Sequence, residues 1–295
     1  MMLRIAVVLG LLAGTARADV VFARGGALYK ADDKGKGETE LVKLTGPAKT
    51  LSTDARGTVV LVELASSWAY VPLAAPALKP LPCAEGPAQL AADAGCVLCR
   101  AKAGSQIVNL ATGKATAIAI TDGRIANRTL LWTDADGIWS APAGNPARKT
   151  RIAPEPPLRA FLPSPDGTRA VGVYTDYVYS GRKKQPAELL MAFALDGEAA
   201  RRKGIRNAVP VAWSFDNQWL LAQDGTAACL ERMNGGQYKC WKGFTALAVA
   251  GDGSYALVAA KGALYRARLD GVNDTAPELV TKAADAAVFT GTIQR

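Results

Sequence analysis

A pattern of two apolar segments separated by a short polar turn recurs along the chain. Leu51–Val62 is one copy and Leu162–Val173 is another, and each turn carries an Asp or Asn followed closely by a small residue. The turn residues that mark the six copies are Asp54, Asp93, Asn127, Asp166, Asp216 and Asp252. Apolar segments of this length, bounded by turn residues, predict antiparallel strands joined by tight turns.

A second pair of short strands lies between these copies. Lys261–Gly271 shows it, with a turn, an alternating apolar strand and a closing Asp-Gly. Each unit therefore contains about four strands in roughly 35–45 residues, which is the period of a propeller blade. No segment longer than a dozen residues keeps the apolar spacing of an amphipathic helix.

The two ends of the chain complete the pattern. The segment from Val20 to Lys43 corresponds to the last three strands of a unit, and residues 283–290 correspond to an isolated first strand. Pairing these ends would close a further blade and leave no open sheet edge. We therefore predict an all-β fold over residues 19–295, a single propeller of seven four-stranded blades closed by the terminal strands, with six or eight blades still possible.

The turn sequences resemble those of known propeller repeats. Ser164-Pro165-Asp166-Gly167 and its degenerate copy Trp213-Ser214-Phe215-Asp216 are similar to the repeats of TolB-like and WD40-like propellers. Oligogalacturonate lyases and the propeller of prolyl oligopeptidases have similar repeats. The resemblance implies a fold rather than an activity, because the motif is a tight turn between blade strands. The chain lacks the extra domains of TolB and of the peptidases, and the histidine of a lyase metal site.

The composition of the chain excludes several kinds of catalytic and metal-binding site. The 295 residues include 35 Lys and Arg, 26 Asp and Glu, and no histidine. The absence of histidine excludes Ser-His-Asp and Cys-His catalysis and any metal site that requires imidazole. No paired carboxylates recur at equivalent positions of the blades. We expect no catalytic residues, no metal and no cofactor.

The first 18 residues have the features of a secretory signal peptide. Arg4 precedes an apolar run that is too short to span a bilayer, and Ala16-Arg17-Ala18 fits a small-x-small cleavage site. We predict cleavage near Ala18 and a periplasmic or secreted protein. No later stretch has the length of a membrane span, so no transmembrane segment is expected in the mature chain.

Export allows disulfides, and the chain has five cysteines. Cys229 and Cys240 lie symmetrically about Asn234-Gly235, so a two-residue hairpin would place them opposite each other. Hydrogen-bonded and non-hydrogen-bonded residue pairs alternate along an antiparallel ladder. Counted from that turn, the two cysteines form a hydrogen-bonded pair, unless a bulge at Gly236 shifts the alternation. We predict a Cys229–Cys240 bridge, and a Cys83–Cys99 bridge that leaves Cys96 free. Cys96 and Cys99 resemble a CxxC motif, but on a strand two thiols three residues apart point to opposite faces.

One unit is longer than the others, and its extra residues form the candidate binding site. The interval between the turns at Asp166 and Asp216 is 50 residues, against 34 to 39 elsewhere. We interpret Tyr174–Ala187 as a long loop on a rigid scaffold, where binding residues are often found. The predicted contact residues are Tyr174, Asp176, Tyr177, Tyr179, Arg182, Lys183 and Lys184. Two other basic runs, 148–151 and 201–206, should lie near outer strands, where cations protect sheet edges.

These observations favour a non-enzymatic binding or scaffold protein. Tyrosine offers flat amphipathic area, and the cations favour an anionic partner, either a protein or an envelope polymer. Nucleic acid is not expected as a partner of an exported protein, and we expect a monomer. The alternative is a polysaccharide-active lyase or glycosidase on a propeller scaffold, since tyrosine, arginine and paired carboxylates can act on glycans without histidine.

Overall fold

A computed structural model gives the arrangement of the chain. It describes residues 19–83, 86–101, 104–153, 158–180, 182–195, 202–206, 208–233, 235, 238–268 and 276–290. The signal peptide expected over 1–18 lies outside the described residues. Within these ranges every regular element is a β-strand, and none is a helix long and apolar enough to cross a membrane.

The described residues form twenty-eight strands in seven four-stranded antiparallel sheets, so the prediction of seven blades is confirmed. Blade 1 contains the two ends of the chain, with β1 (Asp19–Arg24), β2 (Ala27–Asp32), β3 (Thr39–Lys43) and β28 (Ala286–Thr290). Blade 2 contains β4 (Thr50–Thr53), β5 (Val59–Glu63), β6 (Trp68–Pro72) and β7 (Lys79–Pro80). Blade 3 contains β8 (Ala88–Leu90), β9 (Cys96–Ala101), β10 (Gly104–Asn109) and β11 (Ala115–Ile118). Blade 4 contains β12 (Arg124–Ala126), β13 (Thr129–Asp134), β14 (Gly137–Pro142) and β15 (Thr150–Ala153).

The remaining three blades follow the same order. Blade 5 contains β16 (Arg159–Pro163), β17 (Arg169–Ser180), β18 (Lys183–Ala194) and β19 (Arg202–Arg206). Blade 6 contains β20 (Ala208–Trp213), β21 (Trp219–Asp224), β22 (Ala227–Arg232) and β23 (Tyr238–Lys242). Blade 7 contains β24 (Thr245–Val249), β25 (Tyr255–Ala260), β26 (Ala263–Arg268) and β27 (Glu278–Thr281).

The ring closes through the ends of the chain, as the sequence predicted. β28 pairs antiparallel with β1, with Asp19 opposite Thr290 and Ala23 opposite Ala286. The first strands of successive blades contact one another around the ring, including β28 with both β4 and β24. All five residues of β28 are buried and all but Thr290 are apolar, so this strand fills the interior and also pairs the edge of β1.

The core lies between the blades, because each sheet packs against its neighbours with both faces. This explains why the second strands are apolar in consecutive positions rather than in alternate ones. Val60, Leu61 and Val62 in β5 are buried, and so are Ala256, Leu257 and Val258 in β25. Alternate residues of these apolar runs therefore pack into the interfaces on the two sides of the blade.

The recurring Asp marks the turn between the first two strands of a blade. The buried Asp54 carboxylate accepts hydrogen bonds from the amides of Thr58 and Val59, both at 2.7 Å. In blade 5, Ser164 Oγ donates to Asp166 Oδ1 at 2.6 Å, and the amide of Thr168 donates to the same oxygen at 3.0 Å. These turns all lie at one end of the ring, which we call the turn end. The opposite end, where the second and third strands of each blade connect, is called the ribbon end.

Neighbouring turns also contact one another at the turn end. The amide of Ala55 donates to the Ala92 carbonyl of the next blade at 2.9 Å, and the amide of Asp216 donates to the Gly251 carbonyl at 2.9 Å. Gly253 has a positive φ of 73°, and a Cβ there would lie 1.9 Å from the Trp219 ring. Glycine is therefore required for blade 7 to approach blade 6 this closely.

Both predicted disulfides are present. Cys83 pairs with Cys99 and Cys229 pairs with Cys240, which leaves Cys96 free. Cys96 packs on the blade 4 side of β9 and Cys99 packs on the blade 2 side, so the two thiols diverge as expected.

Cys229 and Cys240 form a non-hydrogen-bonded pair of the ladder, whereas a two-residue turn predicts a hydrogen-bonded pair. Gly243 donates its amide to the Thr226 carbonyl, which makes the 226/243 pair hydrogen-bonded and the 229/240 pair non-hydrogen-bonded. The Cα atoms of Cys229 and Cys240 are accordingly only 4.1 Å apart. A two-residue turn at Asn234-Gly235 would have given the opposite alternation, and Asn234 and Gly236 lie outside the described residues.

Candidate functional site

The predicted loop over 174–187 is instead an extended β-hairpin. β17 and β18 have twelve residues each, and they pair without interruption from Arg169 opposite Ala194 to Ser180 opposite Lys183. The prediction of a loop is therefore wrong. The reason is that all of residues 174–179 except Asp176 are aromatic or β-branched, and such residues favour strands.

The outer half of this hairpin extends beyond the other strands of its blade. Among the residues that the structure describes, β16 pairs with β17 only as far as Val173, and β19 pairs with β18 only as far as Leu189. Residues 175–180 and 183–188 therefore form a two-stranded ribbon at the ribbon end, about 20 Å long at the usual rise of a strand. Among the described residues, no other blade has second and third strands longer than six residues.

Pro186 is compatible with the ribbon because of where its nitrogen points. The amide of Leu195 donates to the Thr168 carbonyl at 2.8 Å, which fixes the alternation along β17 and β18. By that alternation Tyr177 and Pro186 form a non-hydrogen-bonded pair. The proline nitrogen therefore faces away from β17, and the ladder loses no hydrogen bond.

The predicted site residues divide between the base and the outer part of the ribbon. Tyr174 is half-buried at the base and packs against the apolar cluster around Leu158 and Phe161. Tyr177 is 54% exposed, and positions 177 and 179 lie on the same face of the ribbon. Position 176 lies on the other face, opposite Ala187.

The cations concentrate at the tip of the ribbon. Arg182, Lys183 and Lys184 are all exposed, and Lys184 Nζ lies 4.2 Å from the centroid of the Tyr177 ring. This is a cation–π arrangement, so Lys184 and Tyr177 present one combined surface. At the base, Arg159 forms an ion pair with Glu188, which balances the charge there. The ribbon therefore offers an exposed aromatic ring and positive charge at its outer end.

The other two basic runs lie at the outer strands, as the sequence predicted. Arg151 belongs to β15 and contacts the Asp136 carbonyl, and Lys149 Nζ lies 4.7 Å from the centroid of the Trp139 ring. The described part of the second run, Arg202–Arg206, forms β19. Both runs are therefore part of blade structure.

An open cleft of about 440 Å³ lies at the turn end between blades 3 and 4. Cys96 borders it together with Lys114 and with Asp93, which forms an ion pair with Arg128. Burial, and then the negative charge of Asp93, raise the pKa of the Cys96 thiol to about 11. The thiol is therefore protonated at neutral pH and is a weak nucleophile.

A second cluster, which the sequence analysis missed, lies at the ribbon end between the same two blades. Arg100 Nη1 and Arg124 Nη1 both contact Asp122 Oδ1, at 2.9 Å and 2.8 Å. The three residues come from the end of β9, the β11–β12 connection and the start of β12. Their spacing in the sequence contains no motif that would bring them together. Within the described ranges, no group of three or more acidic or cysteine side chains could hold a metal ion.

Comparisons with known proteins agree on the fold. No family model and no curated protein matches the chain. Apo AztD from Citrobacter koseri superposes with a TM-score of 0.59 and 11% identity, covering 95% of this chain and 99% of that one. A second structure of Citrobacter koseri AztD gives 0.58 at 11% identity with the same coverage. Hsv2 from Kluyvelomyces marxianus gives 0.51 at 12% identity, covering 79% of this chain and 75% of that one. At such identities the likeness shows the fold alone.

Proposed function

We propose that the protein is an exported, non-enzymatic β-propeller that binds a protein or an anionic envelope polymer through its ribbon. The observation that carries the proposal is the length of β17 and β18. Their inner halves complete blade 5, whereas residues 175–180 and 183–188 extend past the strands that flank them. Exposed extensions of a rigid scaffold are common positions for binding residues.

The chemistry of the ribbon supports a partner with negative charge. Tyrosine gives a large contact area at low entropic cost, and here the Tyr177 ring already contacts a lysine. The cations at 182–184 would steer an anionic partner towards this ring. In this proposal Tyr177 and Tyr179 are contact residues, and Tyr174 anchors the base of the ribbon.

Export rests on two independent supports. Residues 1–18 have the charge, apolar run and small residues of a cleavable leader. The two disulfides fit an oxidising compartment, because cytosolic thiols are usually kept reduced. We therefore propose a periplasmic or secreted monomer. Edman sequencing of the native protein should begin at Asp19, and an intact Met1 would contradict export with cleavage.

A double variant tests the binding surface. Tyr177→Ala with Tyr179→Ala should abolish crosslinking of the purified mature protein to its partner in the native envelope, while the melting temperature is unchanged. Tyr238→Ala is the matched control, because Tyr238 is 52% exposed but lies on the outer strand of blade 6. Equal capture by the double variant and the wild type would place the binding site elsewhere. Turnover of an envelope polysaccharide by the wild type would instead support the enzymatic alternative.

A further inference from the structure

Two largely buried arginines at the ribbon end share a single carboxylate. The side chains of Arg100 and Arg124 are 17% and 14% exposed, and both contact the same oxygen of Asp122. Arg124 Nη1 also donates to the Gly123 carbonyl at 3.0 Å. Arg100 Nε is buried and has no hydrogen-bond partner among the described residues. The cluster therefore has two positive charges, one negative charge and an unused buried donor.

Arg266 also has a buried Nε atom without a hydrogen-bond partner among the described residues, but its charge is neutralised differently. Arg266 is 3% exposed and contacts two carboxylates, those of Asp33 and Glu278. Burying a guanidinium is costly unless opposite charge compensates for the lost hydration. Within the described residues, no second carboxylate contacts Arg100 or Arg124. The cluster therefore has a net charge of +1, whereas Arg266 and its two carboxylates together have a net charge of −1.

The electrostatics of the individual groups agree with this imbalance. Burial, and then the neighbouring charge of Arg124, lower the pKa of the Arg100 guanidinium from its ordinary value. Burial alone would raise the pKa of Asp122, but the two arginines outweigh it and hold that pKa below its ordinary value. Asp122 is thus fully ionised at neutral pH, and a net positive charge remains.

The cluster is open to solvent on one side. The Asp122 side chain is 63% exposed, and it lies where the chain passes from β11 to β12. Arg100 is close to the end of β9 and Arg124 begins β12, so both belong to the ribbon end of the ring. An incoming group could therefore reach the guanidinium groups from the same end as the ribbon, which belongs to the blade after blade 4.

We propose that Arg100 and Arg124 form a binding site for an oxyanion, a phosphate or a carboxylate group. Two oxygens of such a group match the paired N–H donors of a guanidinium, and the anion would supply the missing negative charge. Asp122 holds the two arginines together and also opposes the incoming anion. The site is independent of the ribbon, so the ribbon variants should leave it intact.

Calorimetric titration of the mature protein with inorganic phosphate, and separately with acetate, tests the proposal. Sodium chloride at matched ionic strength is the reference. We expect saturable binding of at least one oxyanion, and we expect Arg100→Gln or Arg124→Gln to weaken it roughly tenfold or more, as loss of a charged hydrogen-bond donor would. Binding of phosphate alone would indicate a phosphate site, and binding of acetate alone would indicate a carboxylate site.

Two further variants separate anion binding from a purely structural ion pair. Asp122→Asn keeps an acceptor for the arginines but removes the opposing charge, so it should tighten oxyanion binding. Arg128→Gln is the control, because Arg128 lies between the same two blades at the turn end and should leave the titration unchanged. Three results would each overturn the proposal. They are absence of binding in the wild type, binding by both arginine variants as tight as that of the wild type, and weaker binding by Asp122→Asn than by the wild type.

Discussion

Arg266 in β26 forms an ion pair with Asp33, which precedes it by 233 residues in the sequence. Arg266 belongs to blade 7, and Asp33 lies in the β2–β3 connection of blade 1. The same connection contains Gly35, whose φ is 74° and whose position would place a Cβ 2.0 Å from the Val280 carbonyl oxygen. The β2–β3 connection of blade 1 is thus joined to the two outermost strands of blade 7 by an ion pair and by a close backbone approach.

Asp33→Asn should destabilise the protein by roughly 2 kcal/mol, because it removes a buried partner of a buried guanidinium. Urea unfolding monitored by tryptophan fluorescence would measure the change. Glu278→Gln is the matched control: Glu278 contacts the same guanidinium but is 55% exposed, so its loss should cost less than half as much. Equal effects of the two variants would show that burial of the ion pair does not determine its contribution.

Removal of residues 283–295 should cause aggregation or a large loss of melting temperature. The deletion exposes the edge of β1 and the apolar interior that β28 covers. A circular permutant that joins 283–290 to residue 19 through a short glycine-rich linker, and that ends at 282, is the control. The linker gives β28 and β1 the turn of a hairpin, so blade 1 keeps its four strands and the protein should remain soluble. Unchanged solubility of the truncated chain would show that the ring closes in another way.

Each disulfide should stabilise the protein by about 2–4 kcal/mol relative to the reduced form, within the usual range for loops of this size. Cys229→Ala with Cys240→Ala, and Cys83→Ala with Cys99→Ala, should each lower the urea midpoint of the oxidised protein. Under dithiothreitol each pair of substitutions should have a much smaller effect. Non-reducing peptide mapping checks the pairing, and five alkylated thiols in envelope-derived protein would refute it.

The cations of the ribbon should affect association more than dissociation. Replacing Arg182, Lys183 and Lys184 with Gln should slow binding of an anionic partner and flatten its salt dependence, since exposed charges act through long-range steering. Stopped-flow or surface-based kinetics at several salt concentrations would measure this. Replacing Arg148, Lys149 and Arg151 with Gln also removes three positive charges but does so in blade 4, so it should alter association less.

Cys96 should react slowly with iodoacetamide at neutral pH in the folded protein. With a pKa of about 11, the thiolate fraction rises about tenfold with each pH unit until that value is approached. Asp93→Asn should accelerate the reaction, because it removes the negative charge that contributes to the raised pKa. The unfolded chain in urea is the reference. A neutral-pH rate in the folded protein equal to that reference would contradict the effect of burial.

The fold could be predicted because its signals are local. Asp54 and Asp166 organise turns by hydrogen bonds within five residues, so each turn is recognisable from a short stretch of sequence. The pairing of β1 with β28 followed from strand counting, because every other blade has its four strands in sequence.

The sites could not be predicted to the same depth. Tyr174–Ala187 combines polar, basic and proline residues, which are typical of loops, and the orientation of the Pro186 nitrogen, which makes the proline compatible with a strand, depends on a register that the sequence does not reveal. The Arg100–Asp122–Arg124 cluster depends on contact between two blades, and a contact of that kind has no signature in a single sequence. The ion pair between Arg266 and Asp33, which joins blades 7 and 1, could not be predicted for the same reason.

The pairing of β1 with β28 also has a consequence for the order in which the protein folds. β1 is the first strand of the described chain and β28 is the last, so their contact has a sequence separation close to the full length. Contacts of this kind raise the contact order of a fold and slow its formation. Until the final residues leave the ribosome, blade 1 has only three of its strands and the edge of β1 stays unpaired. The other six blades can therefore be complete while the ring is still open.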